Sequence, residues 1–388
     1  MTVWIVNPFD NLPAEGFRPQ RYWLMSEAFA AAGHNVTFWT QDWSHAAKSR
    51  RHDLSFSAPF AIKFVHVPGY GRNIGLKRIW SHWRFARNWF SMAKKCEEKP
   101  HLVIVSSPPL CIGEKVREFC GSVKAEYIVD MMDAWPETFE RVVPRWSLFF
   151  MRQIAKKNYL SASAITAVTK SYLELARKYG AHSPMRLFYH GIKMTETPDG
   201  KISGGKVAAG PIRLVYAGNM SLSYDLATVV DAVKSDESLV LDIAGSGPDE
   251  ASLKLRASGC PRIRFHGYLK EDELRSLLGR ADAGLVPMFD DSCVGVPYKL
   301  ADYAAAGLPV ASSLHGETAE LLERFNAGVT YSAGDVAGFS AAVRQASAIG
   351  RGKTPLVDLF DSRRLYAEYV EFATSLCGEN NLKQKRKE

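Results

Sequence analysis

The chain has 388 residues, 46% hydrophobic and 23% charged, with a formal net charge of +8. That length exceeds what one ordinary core fills, so two domains are expected, and the apolar content excludes a disordered or fibrous chain. The positive balance selects anionic partners: nucleic acid, an acidic membrane or a phosphorylated ligand.

The stretch VWIVNP (3–8) is a short apolar strand. No basic region followed by a long apolar one precedes it, so no signal peptide is expected, and no run of 18 apolar residues predicts a spanning helix. RPQRYWLMSEAFAAAGHNVTFWT then gives an amphipathic helix, a stop at Gly33 and a strand over 36–40, which together make a βαβ unit. HLVIVSS (101–107), AEYIVDMMD (125–133) and AITAVT (164–169) are further strands, the last followed by the helix KSYLELARKYG. They are apolar throughout, as in a parallel sheet covered on both faces.

Between these strands, residues 71–95 interleave basic side chains with Trp80, Trp83, Phe85, Trp89 and Phe90. At helical spacing Trp80, Trp83 and Phe90 can share a stripe flanked by Lys77, Arg78, Arg84 and Arg87. Residues 141–157 repeat the flavour. A basic helix with aromatic anchors reads as an interfacial membrane element. The alternatives are a helix packed on the first sheet with its charges in water, and, ranked last because no nucleic-acid module is recognisable, a nucleic-acid patch.

Near residue 195 the composition changes. TETPDGKISGGKVAAGP (195–211) is a linker, and the strand–helix alternation restarts with strands at 212–219, 239–248, 263–269, 283–289 and 309–313. The expected architecture is α/β: two doubly wound, Rossmann-like domains facing a cleft, with ligands at the carboxyl ends of the strands. The domains are 1–195 and 211–358. Residues 359–388 supply a helix (362–376) packing back on the first domain, and a basic tail, NLKQKRKE. The six cysteines are scattered with no C-x-x-C pair, which suits free cytosolic thiols rather than a zinc knuckle or a redox motif.

VGVPYKLADYAAAGLPVASS (294–313) carries the clearest chemistry. The Ala-rich stretch is a helix beginning near Pro297 as its first residue and stopped by Gly307 and Pro309. Lys299 in the first turn is electrostatically misplaced unless it shares an anion with the helix end, which points to a phosphate site. The plainer readings are a solvated lysine, and Asp302 as a surface carboxylate pairing with it. Asp133 lies just past a strand end, where it either polarises an acceptor hydroxyl or caps the turn before Pro136. Asp130 reads as buried structure. Gly16 and Arg21 are either a backbone approach to a donor phosphate with a supporting cation, or an ordinary loop and helix start.

LDIAGSGPDEASLKLRA, IRFHGYLKEDELRSLLGRADAGLVPM and VPYKLADYAAAGLPVASSLHGETAELL occur in that order, after EGFRPQRYWLMSEAFAAAGHNVTFWT and VDMMDAWPETF in the first half. Over nearly the whole chain this set resembles the GT-B glycosyltransferases, specifically the large retaining family 4 and its bacterial O-antigen and exopolysaccharide members. The resemblance implies transfer of a hexosyl or N-acetylhexosaminyl group from a nucleotide sugar, with a UDP-sugar favoured, to a glycan or lipid-linked acceptor. With the scattered thiols and the basic aromatic segments, the expected location is cytoplasmic, peripherally at the inner face of the plasma membrane on an anionic surface, with no nucleic-acid partner.

Asp302 takes the place of the family's second motif Glu on the nucleotide ribose, and Lys299, with Tyr298 beside it, faces the diphosphate. Gly267, Tyr268 and Leu269 stand where the family holds the base edge, and Gly218 and Asn219 where its phosphate loop begins. Asp133 and Lys299 are the catalytic candidates. The family's first motif Glu, a sugar contact, falls on Val294, so sugar recognition must use other groups, and the loop GNMSLSYD lacks the Arg and Lys that many members use on the phosphates. No D-x-D motif is present, so no metal or other cofactor is expected. The alternatives are a nucleotide-sugar epimerase of the same fold and a non-catalytic nucleotide-sugar binder.

Overall fold

A computed structural model describes residues 1–52, 57–72, 75–141, 143–194 and 210–385. Positions 195–209 of the expected linker and the end of the basic tail lie outside them. The chain divides into two compact units, Met1–Gly191 with Ser362–Glu388, and Ile192–Asp361.

The first unit runs β1 (Thr2–Val6), α1 (Arg21–Ala31), β2 (Asn35–Gln41), the small hairpin β3 (Trp43–Ser44) and β4 (Ser49–Arg50), then β5 (Ala61–Val65) and α2 (Leu76–Lys95). It continues through β6 (Leu102–Ser107), α3 (Leu110–Val123), β7 (Glu126–Met131), α4 (Phe149–Ser161), β8 (Ala164–Ala167), α5 (Lys170–Lys178) and β9 (Met185–Leu187). Seven strands form one parallel sheet in the order β5-β2-β1-β6-β7-β8-β9. The order reverses between β1 and β6, which opens a crevice at their carboxyl ends.

The second unit runs β10 (Ile212–Ala217), α6 (Leu226–Ser235), β11 (Leu239–Ala244), α7 (Glu250–Arg256), β12 (Ile263–Gly267), α8 (Glu271–Arg280) and β13 (Ala283–Val286). Then come α9 (Tyr298–Ala305), β14 (Val310–Ser312), α10 (Glu317–Arg324), β15 (Gly328–Thr330) and α11 (Val336–Ile349). Its six strands are also parallel, in the order β12-β11-β10-β13-β14-β15, with the reversal between β10 and β13. The last helix, α12 (Ser362–Lys385), belongs to the first unit and lies on α1, with Tyr369 against Phe29 and Phe188.

Burial divides the aromatic run of α2. Phe85 and Trp89 are fully buried, Trp89 meeting Trp39 and Phe119 edge-on, so this face anchors the helix to the sheet. Phe90 is half-buried under Lys94 and Lys115, whereas Trp80 and Trp83 stay 53% and 45% exposed. The stripe expected to unite Trp80, Trp83 and Phe90 is therefore split between solvent and packing.

In the second unit α9 lies close against β13. Tyr303 covers Gly284, where a Cβ would sit 2.6 Å from the ring, and its hydroxyl donates to Leu285 O at 3.1 Å and accepts from Ala217 N at 3.0 Å. The Ala-rich sequence serves this approach, since Ala301 and Ala304 are buried on the same helix. Pro297 precedes the first helical residue rather than being it, which puts Lys299 second in the helix.

Candidate functional site

The site in the second unit forms where β10 and β13 part. Gly218 (φ +150°) follows β10 and Gly245 (φ +125°) follows β11, and a Cβ on Gly245 would lie 1.9 Å from Gly218 O. Only glycine fits both positions. Backbone bonds lace the strand ends: Gly218 N donates to Ala244 O at 2.9 Å, Met220 N to Ser246 O at 3.0 Å and Gly245 N to Gly267 O at 2.6 Å. The carbonyl of Asn219 accepts the Tyr216 hydroxyl.

Lys299 reaches across from α9 beneath this loop, its Nζ 3.1 Å from where a Gly218 Cβ would be. The side chain is 6% exposed, and among the described residues Nζ has no hydrogen-bond partner. It sits 4.1 Å from the ring centroid of Tyr216 and 3.8 Å from that of Tyr224. Burial pushes the amine well below its ordinary pKa, and the charge of Asp302 offsets only part of this. The solvated-lysine reading does not survive that burial. Asp302 is 9% exposed one turn along the helix, which likewise removes the surface-carboxylate reading. Tyr298 opens α9 half-buried, and Val294 is half-buried in the segment before it.

Gly267 ends β12, two strands from β10, and Tyr268 and Leu269 follow it, with Tyr268 61% exposed. The structure thus gathers Gly218, Asn219 and Lys299 at one point and sets Gly267, Tyr268 and Leu269 at the end of β12. Tyr216 and Tyr224 were missed, although the sequence showed aromatics on both sides of a loop that lacks basic residues.

In the first unit, Gly16 (φ +80°) closes a short turn whose Glu15 pairs with Arg51 at 3.0 Å. Arg21 is 1% exposed. Its Nε and Nη2 donate to Asp130 at 2.7 and 2.8 Å, and its Nη1 to Phe188 O at 3.0 Å and Tyr189 O at 2.8 Å. The expectation that Arg21 supports a donor phosphate is corrected: its charge is neutralised inside the core by Asp130.

Asp133 accepts from Ala134 N (2.8 Å), Thr138 Oγ1 (2.9 Å) and Trp135 Nε1 (3.1 Å), so it does organise the turn. Burial raises its pKa against those bonds and the charge of Arg78. A cluster the sequence did not disclose surrounds that turn. Arg78 lies over Phe9 and Trp135, 5.4 and 5.8 Å from the centroids, and donates to His82 Nε2 at 3.3 Å. His45 meets the Tyr70 hydroxyl at 2.7 Å. Burial pushes both His45 and His82 down to about 3, so both rings are neutral at neutral pH. Among the described residues no group of His, Cys, Asp or Glu could hold a metal, and no helix is long and apolar enough to cross a membrane.

Two family models match adjoining stretches: Glycosyltransferase Family 4 over residues 21–196 and Glycosyl transferases group 1 over residues 211–348. Glycogen synthase of Mycobacterium tuberculosis (strain H37Rv) is 29% identical over 199 residues, which is 47% of this chain and 45% of that protein. The chain therefore spans less than half the length of this relative. Among solved structures, sucrose-phosphate synthase from Thermosynechococcus elongatus superposes with a TM-score of 0.77 at 13% identity, over 97% of this chain and 99% of that one. Anabaena HepE in complex with UDP and glucose gives 0.66 at 12% identity, over 97% and 100%. The lipopolysaccharide outer core galactosyltransferase WaaB gives 0.65 at 13%, over 96% and 100%. At these identities the structures show the fold, while the two family models between them take in most of the sequence. Two parallel doubly wound units, matched in turn by these two models, place the chain in the family 4 glycosyltransferases of GT-B fold.

Proposed function

We propose that the chain is a retaining glycosyltransferase that moves a sugar from a nucleoside diphosphate sugar to a lipid-linked acceptor in cell-surface polysaccharide assembly. The carrying observation is the buried Lys299 amine, without a hydrogen-bond partner among the described residues, at the strand-order reversal of the second unit. As the glycosidic bond breaks, negative charge grows on the leaving diphosphate. An amine and a helix N-terminus already in place stabilise that charge without reorganising. Asp302 would hold the ribose hydroxyls, the Gly218–Asn219 backbone the phosphates, and Gly267, Tyr268 and Leu269 the base. Asp133, made more basic by burial, is the group proposed to take up or polarise the acceptor proton. A UDP-sugar is the first donor to try, since HepE was solved with UDP and UDP-glucose; a starch synthase in the same fold was solved with ADP.

The test is incubation with UDP-, GDP-, TDP- and ADP-sugars, reading released nucleoside diphosphate. Release is expected with one base, and it should survive EDTA within about two- to threefold, because lysine and helix end do the ion's work. Interconversion of the sugar without release would mean an epimerase, and complete loss on chelation restored by Mn²⁺ would mean a misplaced diphosphate.

The acceptor side of this reading rests on a rim of the first unit. α2 and α4 flank α3 on one face of the sheet, and both begin at the strands' carboxyl ends. Leu76, Ile79, Trp80 and Trp83 at the start of α2, and Trp146, Phe149 and Phe150 at the start of α4, are all exposed. Lys77, Arg87, Lys156 and Lys157 are exposed on the same helices. An anionic lipid surface fits both the rings and the charge. The protein should sediment with anionic vesicles and be released by salt, since attraction between exposed charges is screened beyond about 10 Å at 0.1 M. Trp80→Ser with Phe150→Ser should weaken sedimentation without changing the melting temperature. Equal sedimentation with neutral and anionic vesicles would remove the proposal.

A further inference from the structure

The loop after β10, GNMSLSYD (218–225), carries no Arg or Lys, so on the donor-site reading Lys299 is the cationic side chain offered to the diphosphate there. How that amine is held therefore matters. Among the described residues Lys299 Nζ has no hydrogen-bond acceptor, and what faces it is aromatic: Tyr216 from β10 at 4.1 Å and Tyr224 from the loop before α6 at 3.8 Å. The two rings meet edge to face, 5.7 Å apart at 73°.

Each ring is itself tied down. The Tyr216 hydroxyl donates to Asn219 O, and Tyr216 is fully buried. Tyr224 pairs with Met288 after β13, and its neighbour Asp225 donates its N–H to Pro287 O at 2.8 Å and accepts from Gly334 N at 2.6 Å. A four-carbon side chain without hydrogen bonds has many rotamers, and two fixed ring faces select one of them. When the amine is protonated, ring faces attract it without supplying a counter-charge, which leaves that charge for an incoming anion.

We propose that Tyr216 and Tyr224 are positioning residues that form an aromatic seat for the Lys299 amine and hold it beside Gly218 at the start of the loop after β10. The inference rests on the donor-site reading above. Lys299 makes the contact with the diphosphate, and the tyrosines act through it.

The experiment titrates the wild-type chain, Tyr224→Phe and Tyr224→Leu with whichever of UDP, GDP, TDP and ADP most raises the melting temperature, and with its nucleoside. Tyr224→Leu should bind the diphosphate about tenfold more weakly, the loss expected when one desolvated ring face is removed from a cation. Tyr224→Phe, which keeps the face, should stay within about twofold. The nucleoside, which does not reach the amine, should bind all three alike. Equal diphosphate affinity in Tyr224→Leu and wild type overturns the seat while leaving the donor site standing. Parallel weakening of nucleoside and diphosphate overturns it too, since that is a collapsed site. A wild-type chain that binds none of the four nucleotides overturns the donor-site reading and this inference with it.

Discussion

Asp130→Ala is expected to destabilise the first unit by about 3–5 kcal/mol, the cost of leaving one partner of a buried ion pair uncompensated. Asp130 is 0% exposed and holds the Arg21 guanidinium through two parallel bonds while Thr166 Oγ1 donates to it at 2.6 Å. Truncation strands the guanidinium among Tyr366, Tyr369 and two carbonyls. Such a loss is a large part of the roughly 5–15 kcal/mol that stabilises a domain. All nine tryptophans fall in the first unit, so their fluorescence in urea follows that unit alone. Arg21→Met combined with Asp130→Leu should recover most of the loss, because no unpaired charge remains.

The pH dependence of that pair has a definite sign. Burial alone would raise the Asp130 carboxyl, but the Arg21 charge and hydrogen bonds, with Thr166, outweigh it and hold it below the ordinary range. The pair's contribution is present above the unfolded carboxyl value of about 4 and is lost as the pH falls through the lower folded value. An Asp130→Ala melt within about 1 kcal/mol of wild type would return Arg21 to the candidates for phosphate contact.

Lys299→Met should slow turnover by the equivalent of about 2–4 kcal/mol in the barrier, with a smaller effect on nucleoside binding. Met keeps the length of the side chain and removes an amine that has no hydrogen-bond partner. The melting temperature should therefore hold or rise, because an unsatisfied buried polar group is lost. Slower chemistry without lower stability separates a working residue from a packing one.

Asp302→Ala should act on the other quantity. Ribose hydroxyls are neutral in ground state and transition state alike, so their loss weakens donor and nucleoside diphosphate binding together, by about 1.5–3 kcal/mol. Steady-state kinetics with nucleotide titration on both variants decides the matter. Wild-type kinetics in both would leave 294–313 as a helix and its stop signal.

The elements legible in the sequence are those whose cause is local. Apolar runs such as 101–107, and stops such as Gly33, Gly307 and Pro309, mark strands and helix ends wherever the partners lie. β15 escaped because three residues, half-buried or exposed, carry no such run. Lys299 was legible because a cation in the first turn of a helix conflicts with the helix dipole, and that conflict is readable without coordinates.

What the sequence could not supply was partners. Arg21 and Asp130 are 109 positions apart, and a basic residue at a helix start looks the same whether it faces phosphate or a buried carboxylate. Trp80 and Trp89 sit on one helix in one basic segment, yet only packing on α3 and the sheet sends Trp89 inward and leaves Trp80 in solvent. The Tyr216–Lys299–Tyr224 stack joins a strand, a loop and a helix that only the sheet order brings together. Local conformational preference acts over a few residues and is written along the chain, whereas which side chain neutralises or shelters another is settled by burial, and burial exists only once the strands are ordered.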